Sequence, residues 1–174
     1  MDVILKLSGD LYEEIRTDLA RPHPFAMERI GFAVGRSATA AEGTEIVLLN
    51  RFHSIPDEHY VEDPSVGARI GEGAMTWAMQ AAYSGRPARE GIFHVHLHDH
   101  EGPTGMSAVD RREIPLLIPG FQSVGSQAAH GIVILSADHG CAWVWRPGTR
   151  QPLKTRRISV AGFPLQTFVD EEAR

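Results

Sequence analysis

Ile92-Phe93-His94-Val95-His96-Leu97-His98-Asp99-His100 is the stretch on which the reading of this chain turns. Apolar and imidazole side chains alternate along it, and alternation is the side-chain period of a strand. Extended, it sends several imidazoles from one face. Neighbouring imidazoles on one strand face can close on a single metal ion, and histidine is the commonest metal ligand among side chains. The chain has nine histidines, and four of them fall between positions 94 and 100. The cluster lies mid-chain, begins at Gly91-Ile92-Phe93 and runs into Glu101-Gly102-Pro103-Thr104-Gly105, which is not the form of a purification tag. The expectation is a strand, Ile92 to His98, that carries metal ligands.

Around that strand the bulk properties are those of one domain. The 174 residues are 43% hydrophobic, enough for a proper core, and a single unit spanning 1–174 is expected. A net charge of -5 argues against a nucleic-acid-binding surface, despite the basic run Lys154-Thr155-Arg156-Arg157. One cysteine, Cys141, excludes a disulfide framework, a zinc site built on several thiolates, and the Cys-x-x-Cys pair of zinc deaminases. Apolar runs stay short of membrane-spanning length and Met1-Asp2-Val3 does not open a signal peptide, so a cytoplasmic protein without membrane association is expected.

Upstream, Val3–Leu7 alternates as a short strand. Asp10-Leu11-Tyr12-Glu13 has the form of a capping box, predicting a helix to about Arg21 that Pro22 and Pro24 end. Ala26–Gly35 and Glu45–Asn50 read as paired strands joined by the polar loop Arg36–Thr44. Val66, Ile70, Ala74, Trp77 and Ala81 are spaced by three or four, as in a helix that Gly85 stops. Downstream, Ser107 to Asp110 opens a short helix that fades before Pro115 or Pro119. Gly131–Ser136 and Cys141–Trp145 form a hairpin around Asp138-His139-Gly140, and Leu153–Val160 reads as the last strand. An acidic tail follows from about 165. Strands interrupted by helices imply an α/β fold, a mixed sheet with helices packed on it.

Metal-assisted hydrolysis needs about three protein ligands, an open position and a nearby base. Asp110 follows the histidines at loop distance and can complete a two-histidine, one-carboxylate set. Ser107, one turn before it, carries a hydroxyl suited to an oxyanion; the same Ser-x-x-Asp spacing is also a helix cap. Glu28 stands at the mouth of an apolar strand, where glutamate is uncommon, and is a candidate base.

Glu28, Gly31 and Gly35, followed by His-x-His, a short loop and Ser107-x-x-Asp110, resemble the JAMM (MPN-plus, JAB domain) zinc metalloprotease family over roughly Glu28 to Trp145. The resemblance implies a curved mixed β-sheet flanked by helices (JAB/MPN, cytidine-deaminase-like) and a zinc isopeptidase. Its substrates would be ubiquitin-like proteins or their conjugates, cleaved after the ubiquitin-like C-terminus in deconjugation or precursor processing. Partners would include associated activating and conjugating enzymes. Carried over by position, Glu28 is the general base, Ser107 the oxyanion donor and Asp110 the third zinc ligand. The histidine register departs from the family: seven residues usually separate the second histidine from the serine. Here His96 and His98 leave eight, and His94 and His96 leave ten. His96 and His98 are preferred because Gly102-Pro103 then precedes Ser107 as in relatives. His94 would stand behind them on the same face. Asp99 replaces the usual proline after the second histidine. The substrate's C-terminal tail is expected to lie extended beside an exposed strand edge, the strand-addition mode of peptide binding.

Rival readings come from other classes. His94-Val95-His96 with Glu101 resembles part of a cupin motif, and the cluster is one residue out from the metallo-β-lactamase-like pattern. A third is an inactive scaffold with the protease fold. Trp143, Trp145 and Cys141 share one strand face and read as packing. His130 and His139 read as surface or turn residues.

Overall fold

The structure, a computed structural model, describes residues 2–24 and 26–170. Its elements are β1 (Val3–Ser8), α1 (Gly9–Leu19), β2 (Ile30–Thr39), β3 (Glu45–Ser54), α2 (Glu72–Ser84), β4 (Glu90–Leu97), α3 (Ala108–Val124), β5 (His130–Leu135), β6 (Gly140–Trp145), β7 (Leu153–Lys154), β8 (Arg157–Ala161) and β9 (Gln166–Val169). All strands join one mixed sheet, in the order β7-β6-β5-β4-β2-β3-β1-β8-β9. The β1–β3, β1–β8 and β4–β5 pairs are parallel, and the others are antiparallel.

The sheet has a core on each face. One is built with α1, whose Leu11, Tyr12, Ile15 and Leu19 form a helical stripe against Val47, Phe93, Val95 and Val133. The other is built with α2 and α3: Ala74, Ala78, Ala82, Ile114, Ile118 and Phe121 cover Phe32, Ile92, Ile132 and Ile134. Burying each large aliphatic side chain contributes about 1.5–3 kcal/mol. Alternation along β4 settles its register. Phe93 and Val95 point to the α1 core, so Ile92, His94 and His96 leave the face that α3 covers.

The sheet curls. Only Thr155 and Arg156 separate β7 from β8, yet β7 pairs with β6 and β8 with β1. Thr155 N–H donates to Ala142 O in β6 and Arg156 N–H to Val3 O in β1, so adjacent residues bond to strands five places apart in the sheet order. The predicted single strand Leu153–Val160 is therefore two strands.

Several other expectations shift. The cap of α1 is Ser8, whose hydroxyl accepts from Leu11 N–H at 3.2 Å, two residues earlier than Asp10. The β2–β3 hairpin is longer than predicted on its loop side, and β2 starts at Ile30, not Ala26. Cβ atoms at Gly31 or Gly35 would strike Phe52 or Leu48, so both glycines allow the close β3 packing. Val66 and Ile70 lie in the loop before α2. The α3 helix runs through Pro115 and Pro119 because both stand on its exposed side. The carbonyls they leave unbonded belong to exposed residues, while Ile114, Ile118 and Phe121 bury the opposite face. The acidic tail expected from about 165 begins instead with β9; residues 171–174 lie outside the described residues. Among the described residues, no helix is long and apolar enough to cross a membrane.

Candidate metal centre

His96 is 2% exposed and sits in β4 between β2 and β5, paired across from Ile30 and Ile134. His98 follows the strand's end. Its backbone N–H donates to Leu135 O at 2.8 Å, which carries the strand direction one residue further. Both side chains turn to one point: His96 Nε2 and His98 Nε2 are 3.1 Å apart. Asp110 Oδ2 lies 3.6 Å from the first and 4.0 Å from the second.

Asp110 is delivered there by the start of α3. Ser107 Oγ accepts from Asp110 N–H at 3.1 Å, and Asp110 Oδ2 accepts from Ser107 N–H at 2.8 Å, a reciprocal capping box. The cap and the site reading of Ser107-x-x-Asp110 hold together: the cap fixes the carboxylate facing the imidazoles. Accepting from a backbone N–H leaves the Ser107 hydroxyl proton free to donate elsewhere.

Glu28 arrives from far upstream. Its carboxylate lies with the two imidazoles in a group whose ligand atoms are all within 4.8 Å of one another. The segment that carries it is tied down on three sides. Met27 and Glu28 N–H groups donate to Gly67 O at 2.8 and 3.0 Å. Next to them, buried Arg29 donates to Arg21 O and Pro22 O and pairs with Asp57 at 2.8 Å. Tyr60 hydroxyl bonds both the N–H and C=O of Ile30. A Cβ at position 67 would lie 2.7 Å from Glu28 Oε2, so only glycine leaves the carboxylate its place.

The electrostatics suit a cation. Burial pushes the Glu28 carboxyl above the ordinary carboxylate range, against the pull of His96. Burial works the same way on Asp110, but His96 and the Ser107 cap outweigh it and hold the carboxyl well below that range. Burial lowers His98, and takes His94 down to about 3, so both rings are neutral at neutral pH, the form that binds metal.

The donor set passes a geometric test. Tetrahedral bonds of about 2.0–2.1 Å require donors roughly 3.3 Å apart. The three observed separations, 3.1, 3.6 and 4.0 Å, bracket that figure. A His/Glu group here can hold a metal ion. His98 Nδ1 lies 3.0 Å from Thr104 Oγ1, which fixes the ring with Nε2 toward the centre. Thr104 escaped the sequence reading; a hydroxyl in the loop between histidines and serine was its only signal.

All five predicted site residues, Glu28, His96, His98, Ser107 and Asp110, thus come together. His94 lies behind His96, ring centroids 5.3 Å apart, on the same face. His100 turns away in the loop, its Nδ1 3.0 Å from Glu101 O, and neither joins the cluster. His130 corrects its expected surface role. It is fully buried, accepts from Ile92 N–H at Nδ1 and donates from Nε2 to Gly125 O, clamping β4 to the end of α3. His139 is a turn residue, 2.9 Å from Asp138. Cys141 is buried, and burial pushes its thiol up to about 12, so it is inert. Trp145 packs with it, and half-buried Trp143 lies under Lys154.

Beside the centre runs a cleft of about 610 Å³ between the Val61–Ile70 loop and α3, floored by Ile30 and His94. The free edges of the sheet, β7 and β9, carry none of the site residues.

No protein-family model matches this chain, and no curated protein matches it significantly. Among solved structures, the Trichoplax adhaerens STIL N-terminal domain is similar at a TM-score of 0.36 and 10% identity, over 81% of this chain and 41% of that one. This chain therefore spans about two fifths of that chain's length.

Proposed function

We propose that this protein is a zinc-dependent isopeptidase of the JAMM (MPN-plus, JAB) type, cleaving the amide bond after the C-terminus of a ubiquitin-like protein. The observation that carries this reading is convergence: Glu28 meets His96 and His98 from the segment just before β2, and Asp110 reaches the same two Nε2 atoms from α3. The curled mixed sheet with helices on both faces is compatible with the JAB architecture. His96, His98 and Asp110 would hold the ion. Zinc bound there supplies a Lewis acid that polarises a carbonyl and acidifies water.

The chain's own groups do the rest. Glu28, lifted in pKa by burial, takes the proton from the attacking water and passes it to the departing amine nitrogen. Water's oxygen bonds to the carbonyl carbon first, placing the charge on the carbonyl oxygen, and the C–N bond breaks when that oxyanion collapses and the nitrogen takes its proton. The Ser107 hydroxyl, with its proton uncommitted by the cap, donates to the developing oxyanion. Thr104 and the capping box hold His98 and Asp110 in place throughout.

The test is incubation of the full chain with a linear ubiquitin-like fusion, with and without a chelator, read by mass. Cleavage after the ubiquitin-like C-terminus, lost with chelator and restored by zinc, is expected. Glu28→Gln is expected to keep zinc and lose about 100- to 10,000-fold in rate; normal turnover by that variant refutes the base assignment.

A further inference from the structure

Glu45 opens β3 and faces the α1 side of the sheet, in step with Val47 and Leu49, which both lie in that core. It is 5% exposed, yet its carboxylate accepts no hydrogen bond among the described residues. Its ion pair with Arg146 is long, Nε standing 4.0 Å from Oε2. A buried carboxylate without hydrogen bonds is costly, and such a group in a native protein calls for a reason.

Glu45 lines a cavity of about 350 Å³ at the end of the sheet away from the metal centre. Thr39 pairs with Glu45 and Ile30 with His96, and these two residues are the ends of β2, on the order of 30 Å apart. No residue of α1 lines the cavity. The helix and its exit are tied to the opposite end of the face, Arg16 to Ser136 O and Arg21 to Ser54 Oγ.

Arg89 lines the same cavity, and among the described residues its guanidinium has no hydrogen-bond or ion-pair partner. Its backbone is left-handed, at φ 53° and ψ 42°, a region that glycine enters freely and bulky residues seldom do. Glycine would make this turn with less strain, so the turn itself does not call for arginine. Ser37, Thr39 and Gln127 add hydroxyl and amide groups to the walls. A carboxylate and a guanidinium, each unanswered by a hydrogen bond, thus face one small space. A purely anionic ligand would be repelled by Glu45, and a purely cationic one by Arg89 and Arg146. A ligand carrying both charges answers both groups.

We infer that this cavity binds a free α-amino acid, its ammonium donating to the Glu45 carboxylate and its carboxylate accepting from the Arg89 guanidinium. The volume stands at the small end of ligand cavities, which suits one amino acid and not a peptide. The site is separate from the hydrolase reading and needs no metal.

The test is an NMR titration of the zinc-loaded full chain with L-alanine, L-serine and L-glutamine, each also as its N-acetyl and its amide derivative. Backbone amide shifts at Ser37, Thr39 and Gln127 report the cavity. Chelation of the zinc by an amino acid instead shifts His96, His98 and Asp110. At least one free amino acid is expected to saturate the cavity shifts with a Kd of about 1 mM or tighter. Blocking either terminus is expected to weaken binding about 10- to 100-fold, the loss of one charge-assisted hydrogen bond. Arg89→Gly, which keeps the turn, is expected to bind the free acid and its amide equally. Glu45→Gln is expected to bind the free and acetylated amines equally. Melting curves check that both variants fold, and Arg89→Gly decides alone if Glu45→Gln does not. Absence of cavity shifts with all three amino acids overturns the inference, as do shifts confined to the metal centre. An Arg89→Gly chain that still prefers the free acid to its amide by the wild-type factor also overturns it.

Discussion

Gly67→Ala is expected to slow turnover sharply while the chain stays folded and keeps its metal. The new Cβ would lie 2.7 Å from Glu28 Oε2, 2.8 Å from Cδ and 3.2 Å from Oε1. Ordinary contact needs roughly 3.5 Å, so the carboxylate must withdraw by about 0.7–0.8 Å. Misplacement on the order of 1 Å costs about 100-fold in positioned chemistry, so a 10- to 100-fold fall in kcat is expected. Folding is spared because the obstacle is the tip of a flexible side chain. Gly67 is also not among the glycines with positive φ, so alanine fits the backbone there and can add about 0.4–1 kcal/mol. Three measurements on one preparation decide the matter: thermal melting, zinc content by mass spectrometry, and kcat on the ubiquitin-like fusion. Unchanged kcat would show that the Glu28 carboxylate has no positional duty. Loss of zinc together with activity would make Glu28 a ligand and refute its role as base.

Three further outcomes follow from the same geometry. Thr104→Val is expected to weaken zinc binding about 10- to 100-fold in competition with a chelating dye, with Thr104→Ser restoring it, because the hydroxyl orients His98. His96→Ala and His98→Ala should each lose zinc and His100→Ala should keep it; retention by both of the first two would overturn the register. Saturating the wild type to about 100 times Kd should also raise its stability by about 2.7 kcal/mol in melting or denaturant titration. Away from the centre, burial pushes the Glu90 carboxyl up, but Arg51 at 2.7 Å and Arg36 at 3.0 Å outweigh it and hold it below its ordinary 4.5. A depressed carboxyl stabilises fully above the unfolded value and loses that contribution as pH falls through the folded one. The wild type should therefore lose more melting temperature below about pH 4.5 than Glu90→Gln does; parallel curves would dismiss the ion triad as a source of stability.

How far the sequence was legible varies with the physics behind each residue. Along β4 the period of two is strict, so the face shared by His94 and His96 could be read without coordinates. Asp110 was legible because a helix start has a local signature, and here that signature also aims the carboxylate. Thr104, Gly67 and His130 were not, since each acts across a loop or between elements where no periodicity reports direction. The prolines of α3 misled for a related reason. Propensity predicts a break, but the buried row Ile114, Ile118, Phe121 holds the helix and the prolines face water. Lys154 to Arg157 looks like one extended run, and nothing local marks the change of pairing partner at Thr155.

That change of partner sets the order in which the molecule can assemble. Ile4 to Ser8 pair with residues 157–161, nearly the full span of the chain apart, and such distant pairings are slow to form. During synthesis the first strand can dock on Glu45 to Leu48 early, but its other side stays bare until residues 157–161 have left the ribosome. A half-paired strand is a template for stray neighbours. The late arrival of the eighth strand is thus a step at which the bare side of the first is open to aggregation.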